Sequence, residues 1–238
     1  VYHPAVAQPG VTTRFFGETL ALFTDARALP ATASPGQAAA FLEAFLGAPV
    51  PLLVPIQRHT AIVATFSGTP PAPGEAREVG ICDALITAEP GIALAVRTAD
   101  CLPVVLLGPG VVAVIHAGWR GLAQGILGKT VRLVSAQFGV APAALRAVVG
   151  VGVGPCHYPV GGEVIEALAR VVGQRDGFAA AGRVNLGSFA RQALAQSGLG
   201  EESIEVLPGC TACSPTFHSY RRDGANAGRQ WTFALLRG

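Results

Sequence analysis

The sequence is poor in charge, nearly devoid of lysine and wholly without methionine. Only 13% of its 238 residues are charged and the formal net charge is +2, which leaves no basic footprint for nucleic acid. Lys129 is the single lysine among seventeen basic residues; beside so much Ala, Gly and Pro, this reads as genome composition rather than function. Apolar residues make up 50% of the chain, yet Gly, Pro or polar residues break every apolar run well before the roughly 18 positions a membrane span needs. No basic segment leading into an apolar one opens the chain, so a cytoplasmic protein without signal peptide is expected. With methionine absent, the native start is expected upstream of Val1. Histidine is scarce as well: His3, His59, His116, His157 and His218 are all there are. The cysteines are Cys82, Cys101, Cys156, Cys210 and Cys213. An odd number without a secretion signal points to reduced thiols.

What is present concentrates in "TADCLPVVLLGPGVVAVIHAGWRG", residues 98 to 121. Two β-branched-rich runs, 102–107 and 111–115, flank Gly108-Pro109-Gly110, the pattern of a hairpin. If Leu107 pairs with Gly110, Cys101 lies opposite His116. A turn centred on Pro109-Gly110 slips the pairing by up to two residues, and diagonal neighbours are still only about 7–8 Å apart. Either way a thiol and an imidazole meet at the open end of the hairpin. Both are good ligands for a borderline-soft metal such as zinc, although a buried Cys and a core His would look the same. His59, in "IQRHT" within the strand-like stretch 52–66, is the third candidate; a Cys-His-His set is the open pattern of catalytic zinc.

No internal repeat or low-complexity linker interrupts the chain, and residues 1–238 are expected to form one domain. Ser34-Pro35 opens a helix to about Phe45, and residues 67–80 read as a Pro/Gly-rich loop. "HAGWRG" enters a helix running to about Phe138. "LRAVVGVGVG" reads as a buried strand, two helical segments follow, and "SIEVL" and "RQWTFALL" are strands. Strands and helices are thus mixed and partly antiparallel: an α/β (α+β) layered sandwich of mixed sheets with helices outside. "GVGVGP" lacks the spacing of a dinucleotide fingerprint. Cys210-Thr-Ala-Cys213 has CxxC spacing but no second pair to complete a site, and is expected to be dispensable. Arg120, in the turn after His116, offers a fork of donors at a helix N-terminus for a carboxylate or phosphate. Tyr220, Arg221, Arg222, Asp223 and Arg229 form a loop that could hold a planar, anionic ligand.

Taken together, "TADCLPVVLL…VVAVIHAGWRG", "VGVGP", "CT" at 210–211 and "HSYRRDGANAGR" resemble the laccase-domain (YfiH-like) family, from "TTR" at 12–14 through Arg229. Its members were first described as multicopper polyphenol oxidases and later as purine nucleoside phosphorylases with adenosine deaminase activity. The resemblance implies a layered α/β sandwich distantly similar to toxin deamidases, and metal ligands at His59, Cys101 and His116. Asp83 and Asp100 also match family positions.

Four functions compete. The first is a zinc enzyme, one Zn²⁺ per chain, that phosphorolyses purine nucleosides and deaminates adenosine. In it Cys101, His116 and Asp100 would be catalytic, and Arg120 would hold phosphate, with Arg14, Arg221 and Arg222 as further phosphate candidates. The second, a copper polyphenol oxidase, fails because five scattered histidines cannot supply about ten ligands, although Cu²⁺ could still bind in vitro. The third is a thiol hydrolase or deamidase with Cys101 as nucleophile and His116 as base. The fourth is a metal-stabilised interaction module, which would need Cys82, Cys156 or another His as a fourth ligand.

Overall fold

The computed structural model describes residues 8–237; His3 lies outside them. The elements, in order, are β1 (Val11–Phe16), β2 (Thr19–Thr24), α1 (Pro35–Leu46), β3 (Leu52–Ile56), β4 (Val63–Phe66), β5 (Ala76–Ile81), β6 (Ala84–Thr87) and β7 (Ala93–Thr98). Then come β8 (Leu102–Gly108), β9 (Val111–Ala117), α2 (Trp119–Ala123), α3 (Ile126–Phe138), β10 (Arg146–Val149) and α4 (Gly162–Val172). The last are β11 (Ala179–Ala180), β12 (Arg183–Val184), α5 (Leu186–Gln196), β13 (Ile204–Val206), α6 (Tyr220–Asp223) and β14 (Gln230–Leu236).

Two six-stranded mixed sheets carry the fold, in the orders β1-β2-β14-β7-β3-β5 and β13-β10-β8-β9-β6-β4. Alternation along β8 and β9 shows how they stack. Val105, Leu107, Val112 and Val114 point to the first sheet, into a core shared with Leu94, Val96 and Ala234. Val104, Leu106, Ala113 and Ile115 point the other way, under Ile126, Val131, Leu168 and Phe189 of the helices. Burial on both faces explains why these strands read as unbroken apolar runs. On the far side α1 covers the first sheet through Ala38, Leu42 and Phe45. The result is the expected layered sandwich, with α1, two sheets and the remaining helices stacked in turn.

Local chemistry sets the boundaries. Ser34 and Gln37 form a reciprocal capping box that starts α1, and Gly47 ends it at φ +75°. The helix expected after the turn 117–121, running to about Phe138, starts earlier and is broken: α2 takes in part of that turn, and Gly125, at φ +76°, separates it from α3. The expected strand 52–66 is two strands in different sheets, and the expected loop 67–80 contains the start of β5. Pro55 accounts for the first of these. Without an N–H it cannot continue the ladder, pairing of β3 with β7 stops at Leu53, and the β5 register shifts between Val54 and Ile56. The chain then leaves one sheet for the other.

Three times the chain crosses from the first sheet to the second: between β3 and β4, between β5 and β6, and between β7 and β8. The crossings carry His59, Asp83, and Asp100 with Cys101, respectively. The glycine run after β10 lies beside them. A methyl on Gly150 would stand 2.7 Å from both Phe23 and Pro103, and one on Gly152 would stand 2.8 Å from the Asp100 carbonyl oxygen. These glycines therefore admit protein side chains and backbone, not a ligand. Gly150→Ala should cost about 1–3 kcal/mol of overpacking, read by denaturant unfolding; an unchanged midpoint would mean the two sheets tolerate a wedge at this seam.

Candidate metal centre and cleft

Gly108 pairs with Val111 and Pro103 with His116, so the turn is centred on Pro109-Gly110 and Cys101 sits diagonally from His116. This is the slipped register, and it still brings the two together. His59 joins them from a loop rather than a strand, at φ +58°. One donor atom of each of His59, Cys101 and His116 lies within 4.8 Å of the others. The two imidazoles meet edge to face, with centroids 4.7 Å apart. Gly118 completes the cradle: a side-chain carbon there would lie 2.9 Å from His59 and 3.0 Å from the Cys101 sulfur. Among the described residues no fourth His, Cys, Asp or Glu joins this cluster, and His59 is exposed. The donor types, their spacing and the open side fit a zinc ion with one position left for water or substrate.

Asp83 is the buried anchor. Its carboxylate accepts from the backbone N–H groups of Arg58, His59 and Thr60, from the Thr60 hydroxyl at 2.7 Å, and from His116 Nδ1 at 2.7 Å. Burial alone would raise its pKa; these bonds overcome it and hold the group well below the ordinary carboxylate range. Because the ionised carboxylate only accepts, His116 Nδ1 must carry the hydrogen, which leaves Nε2 free for a metal. Burial pushes the His116 pKa down, but Asp83 and Cys101 outweigh it and raise it to about 9. Burial likewise pushes the Cys101 thiol up, and the two histidines bring it down to about 6.

The cluster opens into a cleft of about 800 Å³. Arg97, Arg120, Arg221 and Arg229 line it. Arg229 is spent on the carbonyls of Ala227 and Gly228, and Arg97 lies 3.7 Å from Glu78. Arg120 and Arg221 instead rest over the rings of Trp119 and Tyr158, at 4.6 and 5.0 Å, with no carboxylate bound to either guanidinium among the described residues. Tyr220 is exposed at the rim. The Thr98 hydroxyl, on a buried residue of the cleft wall, has no hydrogen-bond partner among the described residues. Asp100, at φ +84°, accepts from the Thr211 hydroxyl at 2.5 Å and from the Arg221 N–H at 2.6 Å.

Two expected phosphate candidates stand elsewhere. Arg14 makes a bidentate pair with Glu205 on a different face. Arg222 donates to the carbonyls of Thr211, Ser214 and Phe217 and to Asp223, so its guanidinium ties a loop together. Arg120 lies in the first turn of a helix of five residues only, so an anion there would depend on the guanidinium and not on a long helix. Arg97, Trp119 and Tyr158 were not singled out from the sequence. The one charge in the strand "ALAVRT" was the available signal for Arg97. Cys82 belongs to neither cluster of possible metal donors, and burial pushes its thiol up to about 11.

An open His/Cys centre at the crossings of an α/β two-sheet sandwich defines the class of protein. The chain belongs to the family described as multi-copper polyphenol oxidoreductase laccase, which matches residues 36–237. A purine nucleoside phosphorylase of Aquifex aeolicus is 37% identical over 176 residues, 72% of this chain and 77% of that protein. The adenosine deaminase RL5 of an unknown prokaryotic organism is 33% identical over 194 residues, 76% of this chain and 73% of the relative. Other relatives named purine nucleoside phosphorylase are matched over about three fifths of their own length. The crystal structure of the Bacillus licheniformis hypothetical protein YfiH superposes with a TM-score of 0.83 at 28% identity, covering 92% of this chain and 93% of that one.

Asp83→Asn replaces an acceptor by a group that must donate toward buried N–H groups. It should cost about 3–5 kcal/mol in unfolding experiments. Since the folded pKa is depressed, the wild-type advantage should be full above the unfolded pKa of about 3.9 and fade as pH falls further. A loss below about 1 kcal/mol would remove Asp83 from the role of anchor.

Proposed function

We propose that this protein is a zinc-dependent purine nucleoside phosphorylase with adenosine deaminase activity. It would act in the cytoplasm on adenosine, inosine, guanosine and methylthioadenosine-type nucleosides with inorganic phosphate. One observation carries the reading: an open His59/Cys101/His116 cluster shares a cleft with aromatic rings and two guanidinium groups that no carboxylate neutralises. A zinc ion held by those three side chains would supply a Lewis acid able to activate water near neutral pH. Copper(II) binds similar donors strongly in vitro, but the scarcity of histidine still argues against a multicopper oxidase.

The chain's own groups then divide the work. Asp83 fixes the His116 tautomer and, through three backbone N–H groups, the loop that presents His59. Both oxygens of Asp100 are already engaged, so it serves as a positioning residue that holds the Arg221 turn against the cleft. The partly exposed Trp119 and the exposed Tyr220 would offer surface for a purine base, while the buried Tyr158 braces Arg221. Arg120 and Arg221 would hold phosphate, whose oxygen bonds to the anomeric carbon as the glycosidic bond breaks and the base departs with a proton. Deamination instead replaces the exocyclic amine by water, and releases ammonia.

The test is elemental and product analysis of the wild type and Cys101→Ala, with adenosine and phosphate. The variant should lose one equivalent of zinc, and with it the formation of ribose 1-phosphate and inosine. Unchanged zinc would sink the assignment.

A second reading, a thiol hydrolase or deamidase, is favoured by the Cys101–His116–Asp83 arrangement and the thiol brought down to about 6. Undiminished turnover after metal removal would select it.

Phosphorolysis needs a bound dianion and deamination does not. Arg120→Ala should therefore slow ribose 1-phosphate formation by about 10- to 150-fold and raise the phosphate requirement, with a smaller effect on inosine formation. An equal fall in both would show that Arg120 holds the nucleoside instead.

A further inference from the structure

The CxxC expected to be incidental is not alone. Cys156, His157, Cys210 and Cys213 each place a donor atom within 4.8 Å of the other three. The Cys156 and Cys213 sulfurs are 3.4 Å apart, and His157 Nδ1 lies 3.4, 3.3 and 3.9 Å from the sulfurs of Cys156, Cys213 and Cys210. The three cysteines are all free thiols. With metal–sulfur bonds of about 2.3 Å and metal–nitrogen bonds of about 2.0 Å, a tetrahedral site puts donors roughly 3.5–3.8 Å apart. The observed spacings bracket that range.

We propose that these four residues form a second metal site, which takes one zinc-class divalent cation with closed Cys₃His ligation. The chemistry differs from that of the cleft: four protein donors leave no position for water or substrate, as in structural zinc sites. Binding converts three thiols to thiolates and releases three protons to solvent.

The surroundings fit the charge that results. The Gly154 N–H donates to the Cys210 sulfur at 3.1 Å, and a side-chain carbon on Gly154 would crowd that residue at 3.1 Å. Three thiolates and a dication sum to −1, and the guanidinium of Arg183 donates to the carbonyls of Pro155 and Cys156 beside them. Cys156, His157 and Cys213 are exposed, so the cation has a path in from solvent.

The site joins two loops that reach the cleft. Tyr158 follows His157 directly and supports Arg221. Thr211 lies inside the CxxC and donates to Asp100. The cation would thus brace the substrate side of the cleft without touching substrate; that consequence rests on the proposed function, whereas metal binding itself does not.

The experiment measures metal content of the full-length chain purified with reductant, as wild type, Cys101→Ala, Cys156→Ser/Cys213→Ser, and the triple variant. Two equivalents, one, one and none are expected. Should the double variant fold poorly, cobalt loading of Cys101→Ala supplies the readout, with thiolate-to-cobalt charge-transfer absorption and a tetrahedral visible spectrum expected. Metal-free Cys101→Ala that takes up no cobalt, a double variant with wild-type metal content, or a Cys156–Cys213 disulfide in the reduced preparation would each overturn the proposal. If the double variant loses one equivalent while Cys101→Ala loses none, this site stands and the reading of the cleft falls.

Discussion

The candidate centre depends on one buried carboxylate. Asp83 immediately precedes β6, the strand that pairs with β9, and its carbonyl accepts the His116 N–H at 2.7 Å while its side chain accepts from the His116 imidazole. The same carboxylate gathers three consecutive N–H groups of the 58–60 loop. A left-handed residue such as His59 is costly unless its surroundings over-determine it, and this is what over-determines it. A buried charge is also costly unless fully bonded; here the need to satisfy Asp83 and the need to hold His59 are met by the same contacts. Two candidate metal donors from distant segments are thereby held in place by the protein's own contacts.

Three crossings from one sheet to the other deliver His59, Asp83 and Cys101 to a common end of the sandwich. The interiors of β2, β6, β8, β9 and β14 are buried on both faces and leave little room for polar chemistry. The crossings are where the backbone leaves the ladder, and there polar groups find both partners and solvent. β14 starts at the same end, since Gln230 pairs with Thr98, so the segment before it brings Arg221 to the cleft. Topology, more than any single motif, explains why five separated stretches of sequence meet.

How much of this was legible follows from the range of each signal. The hairpin was legible because β-branched runs and a Pro-Gly turn are local, and side-chain alternation put Cys101 and His116 at one end in either register. His59 was a candidate by residue type and position, but its nearness to the hairpin was implied only by the family resemblance: whether a loop after Pro55 folds toward β9 depends on Asp83, which lies 24 residues away and gives no periodic signal. The hairpin of β1 and β2 turns at Gly17-Glu18 between apolar flanks, a weaker signal than the Pro-Gly turn of β8 and β9. The expected helix after His116 ends where α3 does, but its interruption was not legible because apolar spacing continues through Gly125, and only the backbone conformation there shows the break. Arg14 could not be separated from Arg221 by residue type; their difference is that Glu205 faces one and a tyrosine ring the other.

The second cluster shows the limit most clearly. CxxC spacing announces half a site, and a search for a matching CxxC fails because the other half is a contiguous Cys156-His157 in a single turn. Two adjacent donors cannot both face one point from a strand, whose side chains alternate, but a tight helical turn permits it. That turn exists because Pro155 starts it and because the glycines before it let the chain pass under Leu102 and Asp100. The glycine run, which resembled a nucleotide loop and is not one, therefore places both Tyr158 at the cleft and Cys156-His157 at the proposed second site. Asp100 and Thr211 join the two sites by a single hydrogen bond across the same turn, so neither is free of the geometry of the other.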